Sequence, residues 1–135
     1  MFSNILIPLD GNPGAEAALP VAAELATKLG AAVVLFEVTP GYGQGTAAVA
    51  AQTAASAYLE GLRAKYGTPK WQTVVAEGHS SSAIVEQAKK SGADLIIMAT
   101  HARAGVKRLF LGSVAEDVIR AAGIPVLVVH SNEDD

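Results

Sequence analysis

The stretch ILIPLDGNPGAEAALPVAAELATKLGAAVVLF, residues 5–36, decides the fold. It opens on Ile5 to Leu9, a continuous apolar run of strand length, and closes on a second, Ala32 to Phe36. Apolar runs without alternation are the pattern of strands covered on both faces, which are usually parallel and interior. Between them Asn12 is placed to cap a helix and Pro13 suits its first position. Leu19, Ala22, Ala26 and Leu29 recur on one face, and Gly30 stops the helix.

The unit repeats along the chain. Leu95 to Ala99 and Val126 to Val129 are further buried runs, whereas Trp71 to Ala76 (WQTVVA) is mixed in polarity and reads as an edge strand. An Ala-rich helix is predicted over Thr46 to Tyr66, ending at Gly67. A third starts in Ser80-Ser81-Ser82, carries Ile84, Val85 and Ala88 inward and stops at Gly92. A fourth begins at Ser113, where Ser113 and Glu116 match the S-x-x-E capping box, and ends near Gly123 before Pro125. Strict alternation with right-handed crossovers predicts an α/β fold, an open, doubly wound, five-stranded parallel sheet with helices on both faces. Ligands in such sheets bind beyond the strand C-termini where the winding reverses. The loops after the first, second and fourth strands are therefore the ones that matter.

Composition agrees with one compact unit: 135 residues, 50% hydrophobic and 17% charged. The domain is expected over 1–131, followed by an acidic tail, 132–135, that holds Glu133, Asp134 and Asp135. The absence of Cys excludes Cys-zinc, iron-sulfur and thiol-nucleophile chemistry. A net charge of -3 gives a nucleic-acid partner little support. No run approaches the ~20 apolar residues of a membrane span, and the first apolar run lacks a basic leader, so a cytoplasmic location is expected.

The chemistry concentrates in MATHARAGVKRLFLGS, residues 98–113. A helix N-terminus offers unpaired N–H groups and a positive dipole end, so Gly112, Ser113, Val114 and Ala115 form a place for a phosphate, with Arg103, Lys107 and Arg108 adding charge nearby. The plainer alternative is that Ser113 only caps its helix and the basic residues are solvated. Asp10, at the C-terminal end of a central strand, suits a ribose hydroxyl or a Mg²⁺ ion; its alternative role is a charge favouring the helix that follows. Other patterns fail. Gly41 to Thr46 imitates a dinucleotide fingerprint with the wrong spacing after the wrong strand, and there is no G-K-[ST]. His79, His101 and His130 have no metal-ligand spacing. A phosphoacceptor receiver domain would need more acids than Asp10 alone after the first strand, and an Asp and a Lys where this chain has Glu77 and His130.

Several blocks together resemble the universal stress protein family over essentially the full length. They are Ile5 to Gly11, Glu77-Gly78 with Ile84, Gly92 to His101, Leu111 to Glu116, and Pro125 to Val129. The resemblance implies the adenine nucleotide alpha hydrolase-like fold with strand order 3-2-1-4-5. Its nucleotide-binding branch carries G-x-x-G, nine residues, then G-[ST]. The matching positions here are Ala99, Ala102, Gly112 and Ser113, and the nine-residue spacing, Arg103 to Leu111, is intact. Ala102 departs from that pattern; where such a position needs φ > 0, a Cβ costs on the order of 1 kcal/mol.

By the same resemblance Pro8, Leu9 and Asp10 take the adenosine side, Val38 the adenine edge, and Met98 and Ala99 the floor. His101, Ala102, Arg103 and Gly105 belong to the loop, and Gly112, Ser113, Val114 and Ala115 hold the phosphates of ATP or another adenine nucleotide, with Mg²⁺ expected at Asp10. In that strand order the apolar last strand, Val126, Leu127, Val128 and Val129, is an edge, and a homodimer in which a second copy covers it is expected; the alternative is a monomer whose acidic tail, Glu133, Asp134 and Asp135, folds over or repels the edge. Three readings follow: a nucleotide-binding stress-response module, an interaction scaffold of the same family without nucleotide, and a slow ATPase, for which no general base is placed.

Overall fold

The computed structural model describes residues 2–41, 45–101 and 112–131. Five strands alternate with helices: β1 (Asn4–Leu9), α1 (Ala18–Leu29), β2 (Ala32–Thr39), α2 (Thr46–Tyr66), β3 (Gln72–Glu77), α3 (Ser80–Lys90), β4 (Leu95–His101), α4 (Ser113–Ala121) and β5 (Val126–Ser131). The strands form one parallel sheet in the order β3-β2-β1-β4-β5. Both the alternation and the order implied by the family resemblance hold.

Alternate residues of each strand serve opposite faces, so the sheet has two cores. Ile5, Ile7, Val33, Leu35 and Ile97 pack with Leu19 and Ala22 of α1 and Leu59 of α2. Leu6, Phe36, Ile96 and Met98 pack with Ile84 of α3 and Val118 of α4. Burial on both faces is why β1 and β4 read as unbroken apolar runs. β3 is half-buried at best along its length, in keeping with its mixed sequence and its place at the edge.

Three local readings are corrected. Asn12 makes no side-chain cap; its backbone N–H instead bonds to Asp10 Oδ1 at 2.9 Å, and residues Pro13–Ala17 wind as a 3₁₀ segment before α1 begins. Pro20 supplies the reason, because without an N–H it closes no i to i−4 bond and the preceding turn tightens. Leu29, expected inward, is 45% exposed in the last turn of α1, where the helix has reached the rim at which β1 begins. The capping box at Ser113 does not form. Gly112, extended at φ -67° and ψ 161°, is the N-cap and Ser113 is the first helical residue, so Glu116 lies too far along to close the box.

One clasp ties the first strand to the turn before β4. The Asp94 carboxylate accepts the N–H of Ser3 at 2.8 Å and of Asn4 at 2.9 Å, and these bonds hold its pKa below the ordinary value. No helix among the described residues is long and apolar enough to cross a membrane.

Candidate functional site

β1 and β2 stay in register from Asn4↔Ala32 to Leu9↔Glu37, but β1 and β4 pair only at Ile5↔Leu95 and Leu6↔Ile96. Pro8 contributes to the early parting, since it has no N–H to offer a ladder. Beyond Leu6 the two central strands diverge at the point where the winding reverses, and a cavity of about 630 Å³ opens there.

Ten of the residues expected at the site line this cavity. Pro8, Leu9 and Asp10 come from the end of β1, Val38 from β2, and Met98 and Ala99 from β4; Gly112, Ser113, Val114 and Ala115 close it at the start of α4. The first intrahelical bond of α4 runs from Glu116 N–H to the Gly112 carbonyl at 3.0 Å, so the amides of Ser113, Val114 and Ala115 have no intrahelical acceptor. A Cβ at Gly112 would meet nothing within 4 Å among the described residues. His101 ends β4, but its side chain lies outside the described residues, as do Ala102, Arg103, Gly105, Lys107, Arg108 and the acidic tail.

The cavity also takes in Phe36, Ser80, Ile84 and Thr100, which the sequence reading did not assign to it. Phe36 and Ile84 read there as core, and they are core whose upper ends form an apolar wall. Thr100 gave one signal: it is the polar residue that follows a buried apolar run. Asp10 is exposed at the rim. No group of three or more metal-ligating side chains occurs among the described residues, so an ion at Asp10 would rely largely on the oxygens that a ligand brings.

A second polar group sits on the α1 and α2 side. Tyr58 of α2 donates to Glu16 Oε2 at 2.7 Å, and burial and that bond raise its pKa. Glu37 carries a buried Oε1 with no hydrogen-bond partner among the described residues. Burial, then the nearby Asp10 charge, raise its pKa above the usual carboxylate value. A group that holds its proton to higher pH when folded stabilises the fold at low pH and loses that contribution as pH rises through the window above 4.5. Glu37→Gln is therefore expected to raise the melting temperature at pH 7, with the gain shrinking on acidification toward pH 4. Paired thermal melts at the two pH values check this; a gain that grows on acidification would reverse the assignment.

The universal stress protein family model matches residues 1–130. The chain belongs to the universal stress protein family. A universal stress protein of Methanocaldococcus jannaschii is 34% identical over 96% of this chain and 82% of its own length. Among solved structures, that of MJ0577, another universal stress protein of the same organism, superposes with a TM-score of 0.83 at 28% identity, covering 98% of this chain and 99% of the other. A universal stress protein solved in complex with cAMP shares the fold at a TM-score of 0.72 and 20% identity, over 97% and 98% of the two chains. The strand order and the helix layers of this member are thus those of the adenine nucleotide alpha hydrolase-like fold.

Proposed function

We propose that this universal stress protein binds an adenine nucleotide, ATP foremost, in the cavity between β1 and β4 and acts as a homodimer in stress response. The observation that carries the reading is the meeting, in one cavity, of the three amides without an intrahelical acceptor at the start of α4, the Asp10 carboxylate and an apolar wall. Amides at a helix N-terminus take phosphate oxygens, a carboxylate takes ribose hydroxyls, and the wall takes a flat base. The base would lie at Val38, the sugar along Pro8, Leu9 and Asp10, and the phosphates over Ala99 and Gly112 to Ala115. Mg²⁺, if carried in, would be held by phosphate oxygens with Asp10 as its protein ligand, neutralising charge at the triphosphate. A relative's complex with cAMP supports the nucleotide class.

Ligand at a hundred times its dissociation constant stabilises the native state by about 2.7 kcal/mol, a rise of several degrees in melting temperature. Thermal melts with millimolar ATP test this. No shift would favour the second reading, a scaffold of the same family.

The homodimer rests on β5, which among the described residues pairs only with β4. Its outer edge carries Leu127, 37% exposed, with Val126, Val128 and Val129 half-buried. An unpaired apolar edge is an association site, and the same strand of a second copy, antiparallel across a two-fold axis, covers both edges at once. Sedimentation equilibrium is expected to show twice 13.8 kDa, and Leu127→Lys to return the monomer; a monomeric wild type would remove the dimer.

A further inference from the structure

Thr100 follows Met98 by two residues on β4, so its side chain stands on the same face, toward α3 and α4, where the cavity lies. It lines the cavity, is only 4% exposed, and its hydroxyl lies 3.3 Å from Nδ1 of His130, its partner in register on β5. His130 is exposed.

A threonine hydroxyl has one proton to give. If Nδ1 accepts it, the oxygen shows the cavity only lone pairs, which repel an anion. If Nδ1 carries hydrogen and donates to Oγ1, the hydroxyl proton is free to point into the cavity. An imidazole whose other nitrogen can reach water exchanges one tautomer for the other at little cost, so an anion in the cavity would select the second arrangement.

We propose that Thr100 is a ligand-facing residue of this cavity that selects for the anionic part of the ligand, with His130 as the positioning residue that orients its hydroxyl. The proposal rests on the nucleotide reading above and adds to it a discrimination between phosphorylated and unphosphorylated forms. The bland alternative is a cross-strand pair that only stabilises the β4 to β5 ladder.

The test compares cyclic AMP, which carries one permanent negative charge, with adenosine, by calorimetric titration or competition. Thr100→Val keeps the shape and removes the hydroxyl. It is expected to weaken cyclic AMP roughly tenfold, the worth of one hydrogen bond to a charged group, and to leave adenosine unchanged. Thr100→Ser is expected to restore the ratio. His130→Phe should lose part of the preference and His130→Gln, whose amide can donate to Oγ1, should regain it. A Thr100→Val protein that melts lower but keeps the wild-type ratio of affinities overturns the proposal and leaves the nucleotide reading standing. A wild type that binds neither compound overturns both.

Discussion

Gly67→Ala is expected to cost about 2 kcal/mol of folding stability and to lower the melting temperature by roughly 5–10 °C. Gly67 ends α2 at φ -110° and ψ -156°, an extended conformation open to any residue, so backbone freedom is not what holds glycine there. The constraint is Trp71. A Cβ on residue 67 would run into the indole ring, which is 6% exposed and part of the core under α1 and α2. The ring has nowhere to go, because its own backbone is tied at both ends: Trp71 N–H bonds to the Thr68 carbonyl at 3.0 Å and Arg63 donates to the Trp71 carbonyl at 3.1 Å. Close-packed interiors answer such an intrusion with strained rotamers or shifted backbone. Thermal or urea melts of the variant check the size of the effect. A companion test is the pair Gly67→Ala with Trp71→Leu, expected to lose less than the sum of the two single changes, since the smaller side chain removes the collision. A Gly67→Ala protein that melts with the wild type would mean the turn yields freely.

Gly112→Val is expected to weaken nucleotide binding by on the order of a hundredfold, equivalent to about 2.7 kcal/mol, while the fold survives. Its backbone at φ -67° and ψ 161° suits a branched residue, and a Cβ there meets no atom within 4 Å among the described residues, so the new side chain would find room beside the cavity that Gly112 lines. A ligand phosphate approaching the first-turn amides of Ser113, Val114 and Ala115 would meet that side chain first. The N-cap favours glycine over valine by up to about 1 kcal/mol, so a slightly lower melting point is expected without unfolding. Titration of ATP into both proteins decides it. Unaltered affinity would move the phosphates away from the start of α4.

The order of elements was legible because each buried strand announces itself: Ile5 to Leu9 and Leu95 to Ala99 are apolar without a break, and Gly30 does stop α1, at φ 65°. Finer features were not, for reasons that lie in tertiary geometry. Gly67 reads as a helix stop, yet its constraint comes from a tryptophan four residues on. Asn12 has the chemistry of a cap, but Asp10 takes the role of binding the turn, and Pro20 tightens the backbone from within. Pro8 is expected on the adenosine side of the site, but only the lost pairing between β1 and β4 shows its part in opening the cavity. Thr100 could be seen as polar, but its partner is thirty residues away on the neighbouring strand.

The strand made first ends up in the middle of the sheet. β1 has β2 on one side within a few dozen residues of synthesis, but its other side waits for Leu95 and Ile96, and the Asp94 clasp on Ser3 and Asn4 waits with them. During translation the nascent chain therefore carries an open, apolar strand edge until β4 has left the ribosome, an interval in which a stalled or prematurely ended chain has a sticky flank and no partner for it. Release of such fragments would draw chaperones or aggregate, whereas β5 and α4 can be added last onto a sheet whose centre is already closed.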